Sequence, residues 1–181
     1  QPGVPLVTVG ADATATQSRF VLSGHASAEA KEEWTIPLCF KNATCRLLSP
    51  GKETTDVPGA IAGSPFPYAN AEDKGYYRTN YGGAELAAVV ANVETGLTPP
   101  ERIGLLGDRW ALMQAGQGSV GSFLDLALAV KQDPNATVLD SAMGKVEEAG
   151  KLIATDEDRS QLDAVVRREL GPVYAALGAP G

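Results

Sequence analysis

The sequence predicts a mixed fold in two parts: an antiparallel β-sandwich over residues 1–83, then an α-helical, helix-hairpin segment over residues 84–181. Three observations carry this. Short β-branched and aromatic runs broken by turn residues fill the first part. After Gly82-Gly83 the hydrophobic period changes from two to about 3.6. Helix-start and helix-stop signals then punctuate the rest.

In the first part, Val4-Pro5-Leu6-Val7-Thr8-Val9 is a short β-branched run, and Arg19-Phe20-Val21-Leu22 follows a polar turn. Trp34, Ile36, Leu38 and Phe40 alternate with Thr35, Pro37, Cys39 and Lys41, the pattern of a half-buried strand. Pro37 assigns that strand to an edge, because proline cannot donate to a ladder. Cys45-Arg46-Leu47-Leu48 reads as its return strand. Residues 49–67, rich in Pro and Gly, carry loops with room for one more short strand, and Tyr76-Tyr77-Arg78-Thr79-Asn80-Tyr81 is aromatic and extended.

In the second part, residues 84–94 form an Ala/Val-rich helix. Thr98-Pro99-Pro100-Glu101 combines a capping residue, prolines suited to a first turn and the Glu of a capping box. Ile103, Leu106, Trp110 and Met113 follow at helical spacing, with Gly116 as the stop. Further helices are expected over residues 119–132, over residues 137–153 with Thr137 as cap, and over residues 156–177. Pro172 should kink or break the last one.

The chain has 181 residues, 44% hydrophobic and 20% charged, with a net charge of −7. That is enough to bury a core, and the acidic balance with no basic stripe argues against nucleic acid as a partner. No apolar run is long enough for a membrane-spanning helix. Gln1-Pro2-Gly3-Val4-Pro5 lacks an initiator Met, a basic flank and an apolar stretch, so it reads as the middle of a longer polypeptide. Cys39 and Cys45 lie six positions apart. They can face each other across a turn near Asn42 as a disulfide, or stand as two half-buried thiols, and the spacing fits both.

Chemistry-bearing patterns are scarce. His25 is the only histidine, so neither a paired-histidine metal helix nor a Ser-His-Asp or Cys-His arrangement can be assembled, and His25 reads as a solvated loop residue. Gly116-Gln117-Gly118-Ser119-Val120-Gly121 lacks the spacing and the preceding strand of a nucleotide loop, and reads as a helix connection. Glu147-Glu148 and Asp156-Glu157-Asp158 suit a solvated helix face and a helix N-terminus. Asp108, inside the apolar run 105–110, is either buried and paired or exposed beside Arg109. Arg78, flanked by aromatics, is open to an ion pair, ring stacking or exposure. Asn42-Ala43-Thr44 and Asn135-Ala136-Thr137 match the N-glycosylation pattern. No catalytic, cofactor-binding or metal-binding residue is assigned.

Residues 70–81, ending in Gly75-Tyr76-Tyr77-Arg78-Thr79-Asn80-Tyr81, resemble the "GYYR.NY" strand of the zinc aminopeptidases, the family of aminopeptidase N and puromycin-sensitive aminopeptidase. Leu97 with Glu101, Arg102, Leu105, Leu106 and Asp108 is similar to that family's "L…ER..LL.D" helix, which opens its C-terminal helical domain. Gln1-Pro2-Gly3-Val4-Pro5-Leu6-Val7-Thr8-Val9 resembles the strand that starts the β-sandwich after the catalytic domain, and Phe20 and residues 34–38 fall in order between. The resemblance covers about residues 1–153 and implies a non-catalytic C-terminal piece, linking and capping an upstream catalytic domain that removes N-terminal residues from peptides. The zinc, with its H-E-x-x-H helix and G-x-M-E-N loop, would belong to that upstream domain. Neither motif occurs in this chain. Arg78 and Asp108 are then expected to hold the sandwich to the helices. The alternative is a free-standing β-sandwich plus helical protein-interaction module.

Overall fold

A computed structural model describes residues 3–10, 14–22, 32–51, 67–153 and 155–177. Strands β1 (Val4–Val9), β2 (Ala15–Phe20), β3 (Ile36–Leu38), β4 (Arg46–Leu48) and β5 (Arg78–Tyr81) come first. Helices α1 (Gly83–Ala91), α2 (Val93–Gly96), α3 (Pro99–Gln114), α4 (Val120–Ala129), α5 (Ala136–Leu152) and α6 (Asp156–Leu177) follow. Small sheets followed by a helical segment are thus the observed architecture. His25 and residues 52–66 lie outside the described residues.

The strands form a three-stranded sheet in the order β2-β1-β5 and a two-stranded sheet β3-β4. β1 and β2 run antiparallel with Val4 opposite Phe20 and Val9 opposite Ala15. The sequence pattern predicts antiparallel strands throughout, but β5 joins β1 in parallel, with Leu6 beside Arg78 and Val9 beside Tyr81. Parallel neighbours need a long connection, and the chain between Val9 and Arg78 supplies it. Strand spacing alone carries no direction, so the alternation could not reveal this.

As the central strand, β1 is covered on both faces. Val7 and Val9 enter the main core, and Leu6 points the other way, onto Phe20, Ala111 and Leu112. The main core is continuous from the sheets to the helices. It joins Ile36, Leu38, Phe40 and Leu48 to Tyr68, Leu105, Trp110, Phe123, Leu126, Val138 and Ala142. The Trp110 and Phe123 rings meet edge to face with centroids 5.2 Å apart, an arrangement aromatic quadrupoles favour.

The hairpin β3-β4 forms as the alternation predicts, with Pro37 opposite Leu47, but its ladder spans only Ile36–Leu38. Toward its N-terminal side the Gln17 amide replaces a ladder pair: the Trp34 N–H donates to Gln17 Oε1 at 2.8 Å and Gln17 Nε2 donates to the Trp34 carbonyl at 2.7 Å. Its turn passes through Asn42 at φ 61°, and Cys39 and Cys45 are joined as a disulfide. The pairing geometry that spacing left open is thereby settled.

Helix boundaries follow the local chemistry with some shifts. Thr98 and Glu101 form the capping box of α3. Gly116 ends that helix in the left-handed region at φ 71°. Its N–H donates to the Met113 carbonyl at 3.0 Å and the Gln117 N–H to the Leu112 carbonyl at 2.8 Å, the paired closure that glycine permits after a helix. The expected helix over residues 84–94 is interrupted at Asn92, whose Nδ2 donates to the Ala88 carbonyl at 2.8 Å and competes with the ladder. α5 is capped by Asn135, not Thr137. The Asn135 Oδ1 accepts from the N–H groups of Thr137 and Val138 at 3.0 and 3.3 Å, and the cap sits two residues earlier than expected, next to the Asp133-Pro134 turn. α6 runs through Pro172 without breaking; the ring costs one hydrogen bond close to the C-terminal end, where little helix remains to be lost.

Gly116→Ala should cost about 1 kcal/mol, because a Cβ is disfavoured at this φ. A chain of this length should then melt about 2–4 °C lower by calorimetry.

Candidate functional site

The most densely bonded polar groups lie where the sheets meet α3, in two stations about two turns apart on one face of that helix. The first is Glu101, which is 0% exposed. Its Oε2 accepts from Lys41 Nζ at 2.6 Å and from the Thr98 N–H at 2.7 Å, and its Oε1 accepts from the Glu72 N–H at 2.8 Å. Its carbonyl also accepts from the Tyr68 hydroxyl at 3.0 Å. One residue therefore gathers the β3-β4 turn, the segment 68–73 and the start of α3. Burial acts to raise the Glu101 pKa, but the Glu72 N–H, Lys41 and the Thr98 N–H outweigh it and the carboxyl lies below its ordinary value.

Local backbone geometry presents the Glu72 donor. Residues Ala71–Asp73 make one 3-10 turn, with Glu72 at φ 59° and Asp73 at φ 55°, a conformation uncommon for residues with side chains. Buried Asn70 holds it: Asn70 Oδ1 accepts from the Gly75 N–H at 2.8 Å, and Nδ2 donates to the Gly75 carbonyl at 3.3 Å and to Asp73 Oδ1 at 3.2 Å. The segment is also pinned to the hairpin, with the Lys41 N–H on the Tyr68 carbonyl at 2.8 Å and the Ala71 N–H on the Cys39 carbonyl at 2.9 Å.

The second station is Asp108, buried at 8% exposure. Its Oδ2 accepts from the Thr79 N–H at 2.7 Å and the Thr79 hydroxyl at 2.8 Å, and its Oδ1 meets Arg78 at 3.1 Å. Arg78 also lies over the Phe20 ring, 5.1 Å from its centroid, so it combines the ion pair and the ring stacking that its sequence neighbours left open. Arg109 is buried too, donating to Asn80 Oδ1 at 3.1 Å and Ser122 Oγ at 3.0 Å. Three consecutive residues of β5 thus dock on two consecutive residues of α3. Burial pushes the Asp108 pKa from 3.8 to about 6, against the lowering pull of Thr79 and Arg78.

Elsewhere the polar groups do structural work. Arg102 forms a buried ion pair with Asp133, whose Oδ1 accepts from the Asn135 N–H at 2.9 Å, tying α3 to the turn before α5. Glu147 pairs with Lys151 on an exposed face, and Asp156 with Arg159 at the start of α6. The 116–121 segment connects α3 to α4. Of the two glycosylation patterns, Asn42 is exposed at the hairpin tip, whereas Asn135 is occupied as a helix cap. Among the described residues no cluster of His, Cys, Asp or Glu is placed to hold a metal. Both cysteines are bonded and both buried α3 carboxylates are filled by N–H, hydroxyl and cationic donors, so these residues do not fit a zinc centre.

Sequence reasoning singled out Arg78 and Asp108 but missed Lys41, Arg102 and Asp133. It gave Glu101 only its capping role. The one available signal was the run Glu101-Arg102 inside an apolar helix face, where charges stay buried only when paired.

The two carboxylates should show opposite pH signatures. A depressed folded pKa means that Glu101 adds stability above its unfolded value of 4.5, lost as pH falls through the lower folded value. The raised Asp108 pKa works the other way: stability is greatest below 3.8 and declines as pH rises through about 6. Melting curves across pH should therefore lose their acid-side fall in Glu101→Gln. In Asp108→Asn they should lose a decline between about 3.8 and about 6. At neutral pH, Asp108→Ala and Arg78→Ala should each lower the melting temperature, with Asp108→Ala costing about 1–3 kcal/mol because it leaves the buried Thr79 N–H and hydroxyl without their acceptor.

Residues 66–181 match the family model described as ERAP1-like C-terminal domain. The chain is 23% identical over 164 residues to puromycin-sensitive aminopeptidase of Caenorhabditis elegans, covering 85% of this chain and 17% of that protein. It is 25% identical over 171 residues to aminopeptidase A of Gloydius brevicauda, covering 87% and 18% respectively. It is 26% identical over 164 residues to endoplasmic reticulum aminopeptidase 2 of Homo sapiens, covering 81% and 17%. The chain thus spans less than a fifth of the length of these relatives. Since the family model takes in β5, α3 and the whole junction between them, this chain belongs to the ERAP1-like C-terminal domain family, the C-terminal part of aminopeptidases.

Proposed function

We propose that this chain is a non-catalytic part of a zinc-dependent aminopeptidase, linking and capping a catalytic domain that lies upstream in the same polypeptide and removes N-terminal residues from peptides. In this reading residues 1–83 form a β-sandwich linker domain and residues 84–181 begin the helical domain. The helices cover the catalytic cleft, exclude water and bulky substrates, and leave room for a peptide with a free N-terminus. The zinc sits in the upstream domain. The partners are that domain and its peptide substrates, with no nucleic acid involved.

The observation that carries this reading is the docking of β5 on α3. The residues of both aminopeptidase-like motifs point at each other: Arg78 and Thr79 on Asp108, and Glu101 on the turn that leads into β5. Their charges are consumed in joining two structural layers, which suits a spacer and cover; among the described residues the buried carboxylates Glu101, Asp108 and Asp133 are all engaged in this way or in an ion pair.

The purified chain, given zinc and aminoacyl anilides, should release no aniline above the buffer rate. Turnover by this chain alone would overturn the proposal. In the whole polypeptide, deleting the segment equivalent to α6, which leaves the junction between the sheets and α3 in place, should raise cleavage of bulky N-termini relative to small anilides. An unchanged ratio would remove the capping role.

A further inference from the structure

We propose that the Cys39–Cys45 disulfide is a redox-sensitive clamp that holds Lys41 on the buried Glu101 carboxylate, so that reducing this one bond loosens the junction between the sheets and α3. The inference is independent of the peptidase reading.

The bond closes residues 40–44 into a loop at the tip of the β3-β4 hairpin. Phe40 sinks into the core, Asn42 turns the chain in the left-handed region, and Lys41 between them reaches Glu101 at 2.6 Å. The hairpin itself has little strength to hold that tip. Its ladder covers only Ile36–Leu38 against Arg46–Leu48, and Pro37 has no N–H to give; two short strands are marginal without further support. Lysine also carries a flexible four-carbon stem whose ordering costs entropy. The covalent closure restricts the backbone of residues 40–44 in advance, so that only the side chain of Lys41 remains to be ordered.

The clamp is reachable. Cys45 is exposed and Cys39 half-buried. A dithiol reductant opens the bond by exchange: one of its thiolates attacks Cys45 Sγ, the Sγ–Sγ bond breaks, and Cys39 leaves as a thiolate that takes up a proton. The reductant's second thiol, as thiolate, then attacks the mixed disulfide and releases Cys45 as its thiolate, which is protonated in turn. The reductant ends as its own disulfide, having given up two electrons. Such bonds persist in oxidising compartments and open in thiol-rich ones, so the junction reports which of the two surrounds it.

Amide hydrogen exchange on the oxidised and the dithiothreitol-reduced chain tests this. Glu72 and Thr98 donate their N–H groups to Glu101, while the Thr79 N–H donates to Asp108. Reduction should lower protection at Glu72 and Thr98 by about tenfold or more and leave Thr79 within about twofold. Lys41→Met should lower the melting temperature by several degrees in the oxidised chain and by clearly less in the reduced one. A Cys39→Ser/Cys45→Ser double variant should reproduce the reduced pattern without reductant. Uniform loss of protection at all three amides, including complete unfolding, overturns the clamp, as does an equal Lys41→Met shift in both redox states.

Discussion

A carboxylate with no exposure to water must be met by donors or forced neutral, and Glu101 is met by three. Those donors come from three separate stretches of chain: Lys41 in the hairpin turn, Glu72 in the turn before β5, and Thr98 at the start of α3. Because hydrogen bonds fix distances to a few tenths of an ångström, satisfying this one group sets where the small sheet, the connecting turn and the first long helix lie. The unusual backbone at Glu72 follows from this. The left-handed turn costs conformational energy, and it is held because it aims an amide that the buried charge requires.

Asp108 works on the same helix under a different balance. Its donors are a backbone amide, a hydroxyl and an arginine that remains partly solvated. Burial wins over them and raises its pKa, whereas at Glu101 the donors win over burial. The contrast follows from the partners. Glu101 has a lysine at 2.6 Å and two amides, while Arg78 divides itself between Asp108, the Gly107 carbonyl and the Phe20 ring. The two stations therefore fasten the same interface with opposite dependence on acidity, in windows that overlap only between 3.8 and 4.5, so their joint contribution rises and then falls with pH.

What the sequence made legible was local. The capping box, the Gly116 stop, the alternation of β3 and the change of period after residue 83 all depend on neighbours a few positions apart, and each appears in the fold near its expected place. What it hid depends on pairing across long separations. Lys41 lies sixty positions from Glu101, and nothing near either residue names the other. The parallel register of β5 beside β1 and the Arg102–Asp133 pair were hidden for the same reason. The Asn135 cap is a different miss: two residues of capping type flank the helix start, and the choice between them rests on the Asp133 carboxylate turning the chain early. Arg78 and Asp108 were visible as ambiguous charges among apolar residues, and only their burial together decides their role.

The continuity of the core limits how this structure can move. Bending the chain at Gly82-Gly83 would separate β5 from α3, exposing Thr79, Asp108 and Arg109, and would pull Glu72 and Lys41 from Glu101. Each of these groups is buried or partly buried with its partner; each hydrogen bond contributes a net ~0.5–1.5 kcal/mol, more where a partner is charged, and the shared apolar core would open with them. Several such losses at once approach the whole stability of a typical domain. Any motion of this part of the chain must therefore carry the sheets and α3 as one body. α6 is different. Of its described residues only Leu162 is buried, and it meets α5 across an apolar groove lined by Met143, Val146, Leu162 and Val166. Among the described α-helices, α6 thus buries the smallest share of its residues, and it lies apart in sequence from the junction that fixes the rest.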